Sequence, residues 1–299
     1  MASVEFPLPS YDFPATLAGG QAFRWKRVGD AWEGVILGRW VRLRPNGARL
    51  SIDTIGPISD WAWLVNYLAL DDDLEALVAT FPDDEPMRAA TAAARGLRLL
   101  RQDPWECLAS FILSSTKQIV QIQECVRLLA ERFGEPIPAG LSDPGSGGLM
   151  TWAFPSWARL AAASEAELRA CKLGFRAPYL LGTARMIQAG EVDLLRLKEI
   201  PTASARAELE RFPGVGRKIA DCVLLFAYRR QDAFPVDVWI QKALQQLYFP
   251  RARNVGVDRL RRFSETHFGP NPGYAQQYLF HYVRTVLGRQ WSASVLKRG

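Results

Sequence analysis

The 299-residue chain predicts an α+β fold, a mostly β N-terminal segment ahead of a helical body. Two patterns carry this expectation. Between residues 20 and 55, short runs of aromatic and β-branched residues are punctuated by Gly29-Asp30, Gly38 and Pro45-Asn46-Gly47. From Ile58 onward apolar residues recur at helical spacing, as in Trp61, Leu64, Val65 and Leu68. With 48% hydrophobic and 23% charged residues, the chain has ample apolar side chain for a large core, which excludes disorder as its main state.

Taken in order, the strand-like runs are Gln21 to Val28, Trp32 to Leu37, Trp40 to Leu43 and Ala48 to Ile52. Their tight spacing predicts an antiparallel meander. Asp71-Asp72-Asp73-Leu74-Glu75 places acids where a helix N-terminus favours them. Residues 104–133 predict one long helix, with Pro104 near its start and Gly134 after its end. Residues 134–156, rich in Pro, Gly and Ser, read as a loop. Helices are expected at about 156–171, 176–189, 203–211, 217–228, 237–248, 256–268 and 272–287. This divides the chain into a β-containing domain over 1–103 and a helical domain over 104–299.

Composition removes several function classes. No window approaches the roughly 20 apolar residues of a membrane span. The N-terminus has no basic stretch followed by an apolar run, so an intracellular protein without a secretion signal is expected. Cys107, Cys125, Cys171 and Cys222 are widely spaced, which argues against a zinc ribbon or a disulfide framework. With only His267 and His281, a His-rich metal site and a Ser-His-Asp triad are poor readings. Charge is uneven: the first hundred residues carry 13 acids against 10 bases, the remainder 27 bases against 18 acids. The basic two-thirds suits a polyanion, although many basic surfaces are only solvated.

The chemistry concentrates in Leu209-Glu210-Arg211-Phe212-Pro213-Gly214-Val215-Gly216-Arg217-Lys218. Two helices flank a Pro-Gly-Val-Gly hairpin. Gly214 and Gly216 permit positive φ and close backbone approach. Free amides at the second helix's start can hold an anion such as a phosphodiester. A tight turn without a ligand would use the same residues. The GxxxxGK[ST] spacing is missing and no strand precedes the segment, so a nucleotide-binding loop is not supported. Lys218 lies in the helix's first turn, where the macrodipole opposes a positive charge and favours the nucleophilic neutral amine. An ordinary role for it would be an exposed lysine pairing with Asp221 at i+3, or with DNA phosphate. Sixteen residues on begins Phe234-Pro235-Val236-Asp237-Val238-Trp239-Ile240, where Asp237 is placed as an N-cap. A carboxylate there can also stabilise a developing cation beside an amine.

Phe-Pro-Gly-Val-Gly-Arg-Lys followed by Pro-Val-Asp resembles the helix-hairpin-helix (HhH-GPD) glycosylase superfamily. Within it the chain resembles the 8-oxoguanine DNA glycosylase/AP lyase family. That likeness extends through Gly19-Gly20-Gln21-Ala22-Phe23-Arg24-Trp25, Asp103-Pro104-Trp105-Glu106-Cys107, Leu173-Gly174-Phe175-Arg176-Ala177 and Gly273-Tyr274-Ala275-Gln276. The resemblance implies an N-terminal antiparallel TBP-like β-sheet domain. Behind it would stand a mostly α-helical glycosylase body, two helical lobes with the active-site cleft between them.

The resemblance also implies a reaction. The enzyme would flip an oxidised guanine out of duplex DNA, Lys218 would attack C1′ to give a Schiff base, and β-elimination would nick the strand, with Asp237 assisting. The flipped base would meet the carbonyl of Gly20 and the amide of Gln276, between Cys222 and Phe280. Lys218 with Cys222, and Gln276 with Phe280, are i,i+4 pairs, so each pair shares a helix face. DNA contacts would come from Gly214, Val215, Gly216, Arg217, Thr116, Gln121, Phe175 and Arg176. Thr116 and Gln121 stand where family members that read the opposite cytosine carry Asn and Arg, which implies weaker cytosine discrimination. Phe175 replaces a wedge Tyr, and Trp239 replaces a His often found in the family.

No external cofactor is implied, and with no cysteine after Cys222 no iron–sulfur cluster. A hairpin cation would rest on the carbonyls of Glu210, Phe212 and Val215. The partner would be double-stranded DNA containing oxidised guanine, met by a monomer with no membrane attachment, associated with the nucleoid or nucleus through DNA. Two other readings share features: a monofunctional alkylated-base glycosylase, against which Lys218 speaks, and a lesion-binding protein without turnover.

Overall fold

The computed structural model describes residues 1–140, 150–252 and 255–288. Strand β1 (Ala2–Pro7) precedes helix α1 (Phe13–Leu17), and β2 (Lys26–Val28), β3 (Ala31–Ile36), β4 (Arg39–Asn46) and β5 (Arg49–Thr54) form the meander. The five strands make one antiparallel sheet in the order β1-β5-β4-β3-β2. Alternation sets its faces. Val41, Leu43, Leu50 and Ile52 are fully buried, while Arg42 and Arg44 between them reach Glu33 and Asp53 on neighbouring strands. Helix α2 (Ala62–Tyr67) covers the apolar face with Leu64 and Tyr67.

Two short helices follow, α3 (Leu74–Val78) and α4 (Glu85–Ala93), capped by Asp73 and Asp84. The acidic run therefore begins a helix as expected. The helical body contains α5 (Pro104–Leu113), α6 (Ile119–Phe133), α7 (Trp157–Ala161), α8 (Glu165–Ala170), α9 (Ala177–Gln188) and α10 (Thr202–Glu210). It continues with α11 (Arg217–Tyr228), α12 (Val238–Tyr248), α13 (Val257–His267) and α14 (Pro272–Tyr282), the last running into a π-helical turn over Val283–Leu287. Among the described residues no helix is long and apolar enough to cross a membrane.

The structure departs from the sequence expectation at several points. The long helix over 104–133 is two helices. The Ser114 hydroxyl donates back to the Phe111 carbonyl at 2.7 Å, Thr116 takes φ +57°, and Gln118 restarts the chain with a capping box closed by Gln121. The helix over 156–171 likewise splits at Ser164, which forms its own capping box with Glu167. Gln21 to Trp25 is not a strand, because the Gln21 amide is fully buried and serves distant backbone. It donates to the carbonyls of Thr16 and Arg98 and accepts from Leu100 N–H. Strand β1 was not anticipated. The 134–156 loop contains two short paired strands, β6 (Pro136–Pro138) and β7 (Met150–Trp152), and its residues 141–149 lie outside the described residues.

Helix α14 is anchored to the segment before α5 by one face. Tyr278 donates to the Leu97 carbonyl at 3.0 Å, and Tyr274 accepts from Leu99 N–H at 3.1 Å. Gln276 and Phe280 lie two residues on from each, about 200° round the helix, and so point the opposite way.

Candidate active site

The hairpin joins α10 to α11. Gly214 has φ +73°, and a Cβ there would sit 2.5 Å from the Tyr179 ring, so both conformation and contact require glycine. Gly216 differs from expectation: its φ is −103°, and it caps α11 without a side chain. A Cβ at Gly216 would meet nothing within 4 Å, so the chain borders open space where α11 begins. Val215 is buried, and the Phe212 carbonyl accepts from its N–H at 3.1 Å, leaving that oxygen one lone pair for another partner.

Lys218 is the second residue of α11. Its Nζ donates to the Ser114 hydroxyl at 3.3 Å and lies 5.3 Å from the centre of the Phe111 ring. It does not pair with Asp221, which is buried against Arg206 at 2.6 Å and Arg217 at 3.5 Å. One turn along α11, Cys222 is 4% exposed, and burial pushes its thiol up to about 12 against the pull of the Lys218 cation.

Asp237 caps α12, accepting from Ile240 N–H at 2.8 Å. Burial raises its carboxyl above the usual range, opposed by that hydrogen bond and by Lys218. From α14, Gln276 donates through Nε2 to the Pro235 carbonyl at 3.1 Å, while its buried Oε1 has no partner. Gly20 enters from the sheet domain with φ +95°, and a Cβ on it would strike Ile119 at 2.8 Å and approach Phe280 at 3.6 Å.

One cleft therefore gathers Gly20, Lys218, Cys222, Asp237, Gln276 and Phe280. Its cavity is about 50 Å³, room for water but not for a purine, so entry of a base requires movement of its walls. A larger cavity, about 400 Å³ between the sheet and α6, is lined by none of these six.

Of the other residues singled out, Phe175, Arg176 and Thr116 lie together. Phe175 is 51% exposed on the turn before α9. Its ring lies 4.1 Å from the guanidinium carbon of Arg176, which is itself 5% exposed. Arg176 Nη2 donates to Thr116 Oγ1 at 2.6 Å and to the Ser115 carbonyl. Gln121 spends its Oε1 on the Gln118 N–H at 2.9 Å. Arg217 is drawn sideways towards Asp221 and Glu265. Sequence reasoning did not single out Ser114 as the partner of Lys218, nor Gln277, which also lines the cleft. Among the described residues no group of three or more His, Cys, Asp or Glu could hold a metal ion.

Residues 3–108 match the family model described as the 8-oxoguanine DNA glycosylase N-terminal domain, and residues 109–265 match the HhH-GPD superfamily base excision DNA repair protein. A probable N-glycosylase/DNA lyase of Methanothermobacter thermautotrophicus is 29% identical over 94% of this chain and 96% of its own. The N-glycosylase/DNA lyase of Arabidopsis thaliana is 31% identical over 89% of this chain and 76% of its own. The 8-oxoguanine glycosylase/lyase of Clostridium acetobutylicum was solved on double-stranded DNA with cytosine opposite 8-oxoguanine. It superposes with a TM-score of 0.84 at 31% identity, covering 95% of this chain and 98% of that one.

Proposed function

We infer the reaction from one premise: this chain belongs to the 8-oxoguanine DNA glycosylase/lyase family of the HhH-GPD superfamily. It is a bifunctional DNA N-glycosylase and AP lyase that removes 8-oxoguanine in base excision repair. Residue roles are our assignment. The observation that carries them is that one amine, Lys218, shares a cleft with the Asp237 carboxyl and an unpartnered amide oxygen on Gln276.

In this reading Lys218 Nζ attacks C1′ of the flipped nucleotide as the bond to the base breaks. The base departs with the bonding electrons and takes up a proton. Loss of the amine proton and opening of the sugar give the Schiff base; removal of a C2′ proton then expels the 3′ phosphate and nicks the strand. Asp237 stabilises the positive charge that develops beside it while holding the start of α12. The Gly20 carbonyl accepts from N7–H, a proton that unmodified guanine lacks. Gln276 Oε1 accepts from the Watson–Crick edge, and Cys222 and Phe280 sandwich the ring.

Outside the cleft, the amides after Gly216 and Arg217 take backbone phosphates. Phe175 fills the gap in the stack, and Arg176, Thr116 and Gln121 face the opposite base. A structural cation would rest on the carbonyls of Glu210, Phe212 and Val215 and reinforce phosphate binding; the chemistry itself runs on the protein's own groups. We take the protein to act as a monomer on duplex DNA wherever the genome resides, with the domain boundary at Asp103, the cap of α5.

The test is single-turnover treatment of a duplex holding one 8-oxoguanine, with guanine as control. Base release followed by strand nicking on the lesion alone is expected. Base release without nicking would indicate a monofunctional glycosylase, and binding without either a lesion-binding protein.

A further inference from the structure

Beside Gln276 the next residue, Gln277, is also buried, 3% exposed, and lines the same cleft. Its Nε2 has no hydrogen-bond partner. The amide nitrogen lies near Gly19, 3.7 Å from where a Cβ on that residue would stand. The cleft thus holds two adjacent buried amides of opposite polarity: an unused acceptor on Gln276 and an unused donor on Gln277. Burying such groups unpaired opposes folding, so a ligand that satisfied both would recover that loss.

We propose that Gln277 is a specificity-determining residue that donates to O6 of the flipped base and so selects 6-oxopurines over 6-aminopurines. The proposal rests on the placement of the base given above, with N7 at Gly20 and the Watson–Crick edge at Gln276. On a guanine-type ring O6, an acceptor, lies between those two edges. A donor near Gly19 meets it there, while Gln276 Oε1 takes N1–H. A 6-aminopurine inverts both positions: its amino group would face the Gln277 N–H, and its bare N1 would face the Gln276 oxygen. Each mismatch leaves a buried polar group unpaired, the arrangement that discriminates most strongly between substrates.

The experiment compares wild type, Gln277→Leu and Gln277→Glu on duplexes carrying 8-oxoguanine, 8-oxoadenine or an abasic site, under single turnover. Excision is expressed relative to abasic-site cleavage, which needs no base contact. The expected result is a fall of about tenfold or more in the 8-oxoguanine ratio for both variants. The preference over 8-oxoadenine should narrow by a similar factor. Because Leu removes an orphaned donor at similar volume, the Tm of the free protein should hold or rise; if Gln277 served only packing, Tm would fall and all three substrates would suffer alike. Variants that keep the wild-type preference overturn the proposal. Failure of wild type to release 8-oxoguanine would instead overturn the reading on which it rests.

Discussion

Lys218 Nζ rests 3.3 Å from the Ser114 hydroxyl oxygen, and that hydroxyl in turn donates to the Phe111 carbonyl at 2.7 Å. The second bond leaves Ser114 as an acceptor, so the last turn of α5 seats the amine. Removing a hydrogen bond to a charged or reacting group costs roughly 1.5–3 kcal/mol. Ser114→Ala should therefore lower the single-turnover nicking rate by about tenfold or more, with little change in DNA affinity. Equal loss in both quantities would show that Ser114 serves packing.

Asp237 separates stability from activity. Its folded carboxyl titrates above the unfolded value because it is buried. Keeping it ionised therefore costs folding free energy at neutral pH, and the cost fades as pH falls through the folded value towards the unfolded one. Asn retains the N-cap. Asp237→Asn should be at least as stable as wild type at pH 7, with the gap in Tm shrinking towards pH 4, while excision drops by about a hundredfold or more. Thermal melts at both pH values check the first part, and single-turnover excision the second.

The proposed placement of Arg176, Thr116 and Gln121 at the opposite base predicts loose reading of cytosine. Arg176 spends Nη2 on Thr116 and Ser115, and Gln121 spends its oxygen on a helix cap. Neither presents a free fork of the kind that reads a base edge bidentately. Excision opposite cytosine should exceed excision opposite adenine by less than about tenfold, and Thr116→Asn with Gln121→Arg should widen the gap. Wild-type discrimination beyond a hundredfold would contradict this account.

The two hairpin glycines should fail differently. Gly214→Ala forces φ +73° on a residue with a Cβ and drives it into Tyr179. It should lower Tm and weaken DNA binding together. Gly216→Ala meets open space in the protein and should leave Tm within a few degrees, yet impede the approach of a phosphate backbone. Melting curves and DNA titrations at two salt concentrations separate these outcomes.

The cleft was legible in the sequence where helical repeat builds its walls. Lys218 with Cys222 and Gln276 with Phe280 share faces because i,i+4 spacing makes them, and all four do line one cleft. Asp237 was legible as a cap because capping is a local rule, and it does cap α12. What escaped depends on partners distant in sequence. Strand β1 pairs with β5, half a hundred residues on, and the buried Gln21 amide replaces a strand with bonds to Thr16, Arg98 and Leu100. The break after Ser114 depends on Thr116 taking φ +57° and on Gln118 and Gln121 capping the next helix, which apolar periodicity does not register. The free donor on Gln277 is defined by what surrounds it, and so emerges only from the fold.

Borohydride trapping on a duplex with a single 8-oxoguanine addresses the nucleophile directly. The account predicts a covalent protein–DNA adduct for wild type, none on the undamaged duplex, and none for Lys218→Gln even though that variant still binds the lesion. An adduct formed by Lys218→Gln at near wild-type yield would contradict the assignment of Lys218.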